Sequence, residues 1–385
     1  MTNPPAQAIE VTVPGTDDRR YQVIVARGAL AELGERTVAA APAHKYALIA
    51  DSRVAELHAE QALSSLAEAG CDAQLLVFPA GEWNKSRAAW GVLSDELLEC
   101  GFGRDAAVVA LGGGVAGDLS GFVASTFMRG VPFVVVPSSL LAMVDASIGG
   151  KTGLDTDRAK NAVGTFHHPR LVLIDPELLA TLPKPHLRAG LAEAIKTAAI
   201  RDADLFAWIE ANAADLAGGD LETLAELISA CAAIKAAVVS ADPAEEGLRQ
   251  ILNFGHTAGH ALEALAGLAL LHGEAVAAGM RLEARIGEAI GVTEAGTSIR
   301  LDEALEACGV PNLLDGSVRA DRLLEAAATD KKNRGGLPHW VLLRRIGEVA
   351  TDDAGSYSTA IEDDRVLEHL EAALRTAADD ADSRP

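Results

Sequence analysis

Six short runs in the first half of the chain are nearly unbroken apolar segments rich in β-branched residues: YQVIVA (21–26), YALIAD (46–51), AQLLVF (73–78), AAVVALG (106–112), PFVVVP (132–137) and RLVLID (170–175). A strand with one wet face alternates polar and apolar positions, so runs this uniform predict a parallel sheet covered on both faces. Segments 52–70 and 86–101 space their apolar residues as helices do and predict part of that cover. From about Leu187 the pattern changes: Ala-, Leu- and Glu-rich stretches predict one helix after another, and HWVLL (339–343) is one of few strand-like runs left. TLPKPHLRAG (181–190), with two prolines, reads as a linker. A chain of 385 residues also exceeds the usual size of one core. The expectation is two domains, an α/β domain over 1–183 and a mostly α-helical one over 184–385, with the site in the cleft between them.

Charge narrows the range of partners. Acidic residues outnumber basic ones 55 to 33, a net charge of −22. Such a surface disfavours nucleic acid and anionic membranes, both of which need basic patches. An anionic small molecule remains compatible if lysines and arginines gather in one pocket against the overall trend. Cys71, Cys100, Cys231 and Cys308 form no CxxC pair, which argues for reduced thiols over a disulfide framework or a thiolate metal site. MTNPPAQAIE lacks the basic and apolar regions of a leader, and no apolar run reaches spanning length, 131–144 being short and interrupted. These features lead us to expect a soluble, cytoplasmic protein with no nucleic-acid or membrane partner.

A few stretches carry chemistry. VVALGGGVAGD (108–118) ends a buried strand in glycines, and Gly112, Gly114 and Gly117 formally satisfy GxGxxG, where missing Cβ atoms let backbone amides approach a diphosphate. The motif follows the fourth strand-like run rather than the first, and no acidic residue closes a strand about twenty positions later, so alone it reads equally as a tight turn. Asp51, closing YALIAD before a helix, suits ribose hydroxyls better, or else caps that helix. PAGEWNK (79–85) is a loop at a strand end, where ligand sites form, or a solvated turn. In VDASIGGKTG (144–153) and KNAVGTFHHP (160–169), Lys151 sits among glycines with Lys160 and Asn161 close behind. That arrangement presents cations and amide donors to phosphate or carboxylate, without the Walker spacing.

Glu193 and Lys196 share one face of the otherwise apolar AGLAEAIKTAAI (189–200). They are expected to be buried, and hence paired, metal-bound or catalytic, rather than a surface ion pair. In RQILNFGHTAGH (249–260), His256 and His260 fall at i,i+4 on one helix side, with Arg249 and Asn253 before them and His272 after. The glutamate of HExxH is missing, which disfavours a metalloprotease. A catalytic zinc takes three protein ligands and an open position, so three histidines plus Glu193 are one too many, and spacing does not say which is spare.

Together these stretches resemble the 3-dehydroquinate synthase family of sugar-phosphate cyclases from about Tyr21 to Ile346: PAGExxK, ALGGGVxGDLxGF, RGxxFxxxPSSLLAxVDxSxGGKTG, KNxxGxFHxP, GLAExxK, NxGHTxGHAxE, LHGEAV and DKK stand in that family's order. The resemblance implies a Rossmann-like nucleotide-binding first domain and a metal- and substrate-binding second one. It implies zinc, or cobalt or another divalent ion, on Glu193, His256 and His272, with His260 facing the substrate. It implies NAD contacts at Asp51, Glu82, Lys85, Gly114, Asp118, Ser138, Ser139, Thr181 and Leu182, with Lys151 and Lys160 at the junction of nucleotide and substrate. Substrate contacts are implied at Asp145, Lys151, Asn161, Lys196, Lys235, Arg249, Asn253, His260 and Lys331, with Arg129 reaching the substrate phosphate across a homodimer interface.

The implied activity converts the phosphorylated keto acid 3-deoxy-arabino-heptulosonate 7-phosphate to 3-dehydroquinate and phosphate, in the shikimate route to aromatic amino acids. Ser138-Ser139, Phe127 and Thr197 replace the commoner Thr-Thr, Tyr and Tyr without removing a charged or ligating group. Glu263 and Glu274 are expected in supporting places, beside the metal or on the helix surface. The rivals are cyclases that form a deoxy-inosose, a valiolone or an amino-dehydroquinate, and a metal-dependent polyol dehydrogenase, which would release NADH and need no cationic pocket.

Overall fold

The computed structural model describes residues 6–13, 20–156, 159–267, 270–314, 318–328, 338–352, 355–361 and 363–382. The chain divides into two compact units, Met1–Pro183 with Leu224–Pro243, and Lys184–Thr223 with Ala244–Pro385.

The first unit contains strands β1 (Gln7–Thr12), β2 (Arg20–Val25), β3 (Lys45–Asp51), β4 (Ala73–Phe78), β5 (Ala106–Gly112), β6 (Phe133–Pro137), β7 (Lys151–Thr156), β8 (Ala159–Phe166) and β9 (Leu171–Ile174). Seven of them form one sheet in the order β1-β2-β9-β6-β5-β3-β4, parallel except for the β1–β2 pair. All six expected strands lie in this sheet, within a residue at each end. Every residue of β5 and β6 is buried, which is why these segments read as unbroken apolar runs. Helices α1 (Leu33–Ala40), α2 (Glu60–Glu68), α3 (Arg87–Glu99) and α4 (Gly114–Thr126) occur between the strands.

Gly149 and Gly150, at φ 114° and 67°, turn the chain just before Lys151, which then opens an antiparallel hairpin, β7 with β8. Gly153 and Gly164 face each other across it, and a Cβ at either would collide with backbone of the other strand. Strand-forming side chains are excluded at that pair, so the sequence shows no strand pattern there.

The expected linker at 181–190 is mostly helix: α5 (Lys184–Arg201) begins inside it. Pro185 occupies the first turn, where the missing amide would have had no intrahelical partner. A second correction concerns apolar length. Helix α6 (Leu221–Ala241) is long and apolar enough to cross a membrane by length and composition, although half of its most apolar window is buried. One of its buried residues is Lys235, ion-paired to Asp145 within the first unit.

The second unit is chiefly helical, built from α5, α7 (His256–Ala266), α8 (His272–Ala289) and the helices Ala203–Ala211, Thr297–Ala307, Ala320–Ala328 and Asp363–Asp382. HWVLL contributes to two small two-stranded sheets, His339–Trp340 with Thr359–Ala360 and Leu343–Arg345 with Glu348–Val349. Glycine lets α5, α7 and α8 touch backbone to backbone. A Cβ at Gly273 would collide with the Ala189 carbonyl, and one at Gly279 with the Gly255 carbonyl. Interiors this tightly packed admit few alternative positions, so side chains on these helices are held in a fixed relation.

Candidate functional site

In the first unit the polar groups gather round Lys85. PAGEWNK leaves β4 through Gly81, whose φ of 114° and close approach to the Trp83 indole admit no side chain. One turn of 3-10 helix, Glu82–Asn84, then sets Lys85 inward, only 3% exposed. Its ammonium lies 3.1 Å from Asp118 Oδ2, 3.6 Å from Glu82 Oε1 and 3.8 Å from Asp155 Oδ1, and donates to Asn161 Oδ1. Burial opposes the charge on Lys85, but the carboxylates of Asp118, Glu82 and Asp155 outweigh it and hold its pKa above the ordinary lysine value. For Asp118 burial wins over the pull of Lys85 and raises the carboxyl. A second ion pair, Lys235 Nζ to Asp145 Oδ1 at 2.5 Å, stands in the same unit.

The glycine turn after β5 starts α4 at Gly114, and no side chain caps that helix. A Cβ at Gly113 would stand 3.3 Å from Ser139 Oγ, and the Ser138 amide donates to the Gly112 carbonyl at 2.9 Å. Asp51 acts as a helix cap: its Oδ1 accepts from the amides of Arg53 (3.0 Å) and Val54 (3.1 Å), while a Cβ at Gly112 would lie 3.5 Å from its Oδ2. Thr181 donates its hydroxyl to the Leu178 carbonyl and receives His58 Nε2 at 3.0 Å, which places the ring proton on Nε2. Leu182 closes that turn through its amide, bonded to the Leu179 carbonyl at 3.0 Å. Lys151 and Arg129 are exposed and Lys160 is half-buried. Arg129 (φ 70°) and Met128 (φ 50°) both adopt left-handed backbone, a strained pair in a non-glycine turn.

In the second unit α5, α7 and α8 bring Glu193, His256 and His272 together, with one ligand atom from each lying within 4.8 Å of the others. Glu193 is fully buried, and its Oε1 is 3.3 Å from His272 Nε2 and 3.9 Å from His256 Nε2. Each imidazole has its other nitrogen at an acceptor: His256 Nδ1 at the Phe254 carbonyl (3.2 Å), His272 Nδ1 at Glu263 Oε2 (3.4 Å). In each ring Nδ1 has an acceptor of its own and Nε2 is left on the Glu193 side, the nitrogen a metal ion would take in place of a proton. Burial opposes a proton on His272, but Glu193 and Glu263 overcome it and lift the pKa to about 10. The other oxygen of Glu193 meets Lys196 Nζ at 2.5 Å, so the expected buried pair is present, with Lys196 1% exposed.

His260, one turn beyond His256, stacks edge-on to it with ring centroids 5.3 Å apart and can join Glu263 and His272 in a second cluster. Arg249 is buried, and Asn253 Nδ2 donates to Glu245 Oε1 at 3.0 Å. The N-terminus of α7 is held by Glu283 of α8, whose carboxylate accepts from the amides of Gly255 (2.7 Å) and Ala258 (3.2 Å). Lys331 lies outside the described residues.

Four residues at these places were missed in the sequence: His58, Asp155, Glu245 and Glu283. None stands in a recognisable motif. Glu283, for example, serves backbone amides 25 and 28 positions away.

Residues 75–189 match the family model for the N-terminal part of 3-dehydroquinate synthase, and 190–333 the model for its C-terminal part. A 3-dehydroquinate synthase of Pelobacter propionicus is 44% identical over 332 residues, covering 86% of this chain and 92% of that one. Among solved structures, the 2-epi-5-epi-valiolone synthase of Streptomyces hygroscopicus subsp. jinggangensis, with NAD+ and Zn2+ bound, is 30% identical at a TM-score of 0.84, over 96% of this chain and 99% of that one. A 2-deoxy-scyllo-inosose synthase complexed with carbaglucose-6-phosphate, NAD+ and Co2+ shares the fold at 24% identity and a TM-score of 0.86, over 95% of this chain and 100% of that one.

Proposed function

The chain belongs to the 3-dehydroquinate synthase family, and from that premise we propose that it converts 3-deoxy-arabino-heptulosonate 7-phosphate to 3-dehydroquinate and phosphate with NAD and a divalent metal, zinc or cobalt. The carrying observation is the Glu193–His256–His272 constellation. A tetrahedral zinc with bonds of about 2.0–2.2 Å separates its donors by roughly 3.3–3.6 Å. The 3.3 Å from Glu193 Oε1 to His272 Nε2 falls in that range and the 3.9 Å to His256 Nε2 lies slightly above it, while the donor set of one carboxylate and two imidazoles suits a catalytic ion with an open position.

When bound, NAD supplies a reversible hydride acceptor and the metal a Lewis acid for a substrate hydroxyl. The C5 hydroxyl is oxidised transiently, which acidifies the neighbouring C–H so that phosphate can leave. The carbonyl is then reduced again, the ring opens, and an intramolecular aldol step closes the carbocycle. The first unit provides the nucleotide contacts: the first amides of α4 at Gly114 for the diphosphate, and Asp51, Glu82, Lys85, Asp118, Ser138, Ser139, Thr181, Leu182, Lys151 and Lys160 around the remainder. Lys151, Asn161, Lys235, Arg249, Asn253 and Lys331 hold the carboxylate and phosphate, and Asp145 orients Lys235. Lys196 pairs with Glu193 beside the substrate, and His260 moves a proton at the substrate. Arg129 serves the substrate phosphate of a neighbouring subunit in a homodimer, and the enzyme works in the cytoplasm.

Metal content tests the assignment. His272→Ala should lose bound zinc, while His260→Ala should keep it and lose turnover. The opposite metal contents would contradict the ligand set.

A further inference from the structure

The hairpin β7–β8 is irregular at one place. Leu154 pairs with Val163 and Thr156 with Ala159, so Asp155 alone faces Lys160, Asn161 and Ala162. Extra residues on one strand force a bulge, and bulges re-aim side chains. Here the bulge turns Asn161 into left-handed backbone, φ 52°. Asparagine tolerates that region better than most residues, but it still needs a partner for the amide thrown out of the ladder. Asp155 Oδ1 is that partner, accepting from the Asn161 amide at 2.7 Å.

The same aspartate is tied to the PAGEWNK side. Its own amide donates to the Lys85 carbonyl at 2.7 Å, it bridges to Ser86 in parallel fashion, and its Oδ1 lies 3.8 Å from Lys85 Nζ. Lys85 in turn donates to Asn161 Oδ1. Asp155, Lys85 and Asn161 thus close a ring in which one carboxylate oxygen faces both the amide of Asn161 and the lysine that binds its side chain.

We propose that Asp155 is a positioning residue: through the bulge it fixes Asn161 in left-handed backbone and so holds the Asn161 side-chain oxygen at Lys85. This couples a residue assigned above to the nucleotide with one assigned to the substrate, and in that respect it rests on the proposed function. The requirement on Asp155 is an acceptor oxygen at the Asn161 amide. Its charge is secondary, because Lys85 also has Asp118 and Glu82.

The test compares Asp155→Ala with Asp155→Asn in the enzyme loaded with NAD and zinc. Loss of an intramolecular hydrogen bond corresponds to up to about tenfold in a local equilibrium. Amide hydrogen exchange at Asn161 should therefore quicken by up to about tenfold in Asp155→Ala, and stay near the wild-type rate in Asp155→Asn. The KM for the heptulosonate phosphate should rise by a similar factor in Asp155→Ala with a smaller change in kcat, and Asp155→Asn should recover most of it. In a double-mutant cycle with Asn161→Gly the two losses should fall well short of adding, since Asp155 acts through Asn161.

Unchanged exchange in Asp155→Ala would overturn the proposal, as would an Asp155→Asn enzyme no better than Asp155→Ala, or strict additivity in the cycle. Should exchange respond as expected while the wild type releases no phosphate, the hold of Asp155 on Asn161 stands and the proposed reaction falls.

Discussion

Lys85 and Lys196 each stand three residues after a glutamate and are almost wholly buried, at 3% and 1% exposure. In the first unit the lysine is the hub. A short turn keeps Glu82 at 3.6 Å, and Asp118, Asp155 and Asn161 arrive from elsewhere in that unit to surround one ammonium. In the second unit the glutamate is the hub. Regular helix brings Lys196 to one oxygen of Glu193 at 2.5 Å, while His256 and His272 converge on the other. The same local spacing therefore builds a cation surrounded by anions in one place and an anion surrounded by donors in the other. What distant elements deliver to each pair decides which, and that decides whether a metal ion has a place.

The sharpest way to break this comparison is to change the second hub. Glu193→Gln should abolish metal retention, and turnover should fall by more than the roughly 100-fold that removal of a supporting residue costs. Metal analysis and steady-state rates read both; a variant that keeps its zinc would show that Glu193 is no ligand. Next, His260→Ala should lower turnover by about 10²–10⁴-fold, the usual contribution of a proton-transfer group, at full zinc occupancy. Stability then separates the two lysines. Lys85→Met leaves Glu82, Asp118 and Asp155 together without their cation and should cost about 3–5 kcal/mol in chemical denaturation. Lys196→Met in zinc-loaded protein should cost less, because the ion takes over the charge of Glu193. Equal losses would erase the distinction between the hubs.

The smallest effect concerns His58. Burial, opposed by Asp175, holds its folded pKa below the ordinary 6.5. Its stability contribution is therefore full above that value and is lost as pH falls below it, because the unfolded chain takes up the proton first. His58→Gln should flatten the fall in melting temperature between about pH 7 and 5; an unchanged slope would remove His58 from the account.

Much of the fold was legible because uniform burial writes uniform apolar runs: β5 and β6, buried at every position, stood out at once. The hairpin β7–β8 was not, since its close approach demands glycine at 153 and 164, and glycine carries no strand signal. The start of α5 hid behind Pro185, whose place in a first turn looks the same in sequence as a linker. Spacing brought His256, His260 and His272 to notice without ranking them. The fold adds contacts that spacing does not carry: Glu193 Oε1 faces the Nε2 atoms of His256 and His272, whose Nδ1 atoms meet the Phe254 carbonyl and Glu263, while His260 can join Glu263 and His272 in a second group. Asp155 and Glu283 escaped notice because their partners are backbone amides, which every residue has and no motif marks.

The central claim is a reaction that borrows a hydride and returns it. Purified protein given NAD, zinc and 3-deoxy-arabino-heptulosonate 7-phosphate should release inorganic phosphate over many turnovers while absorbance at the NADH band stays flat. Steady accumulation of NADH on a simple polyol, with no phosphate released from the heptulosonate phosphate, would contradict the account and make the protein a dehydrogenase.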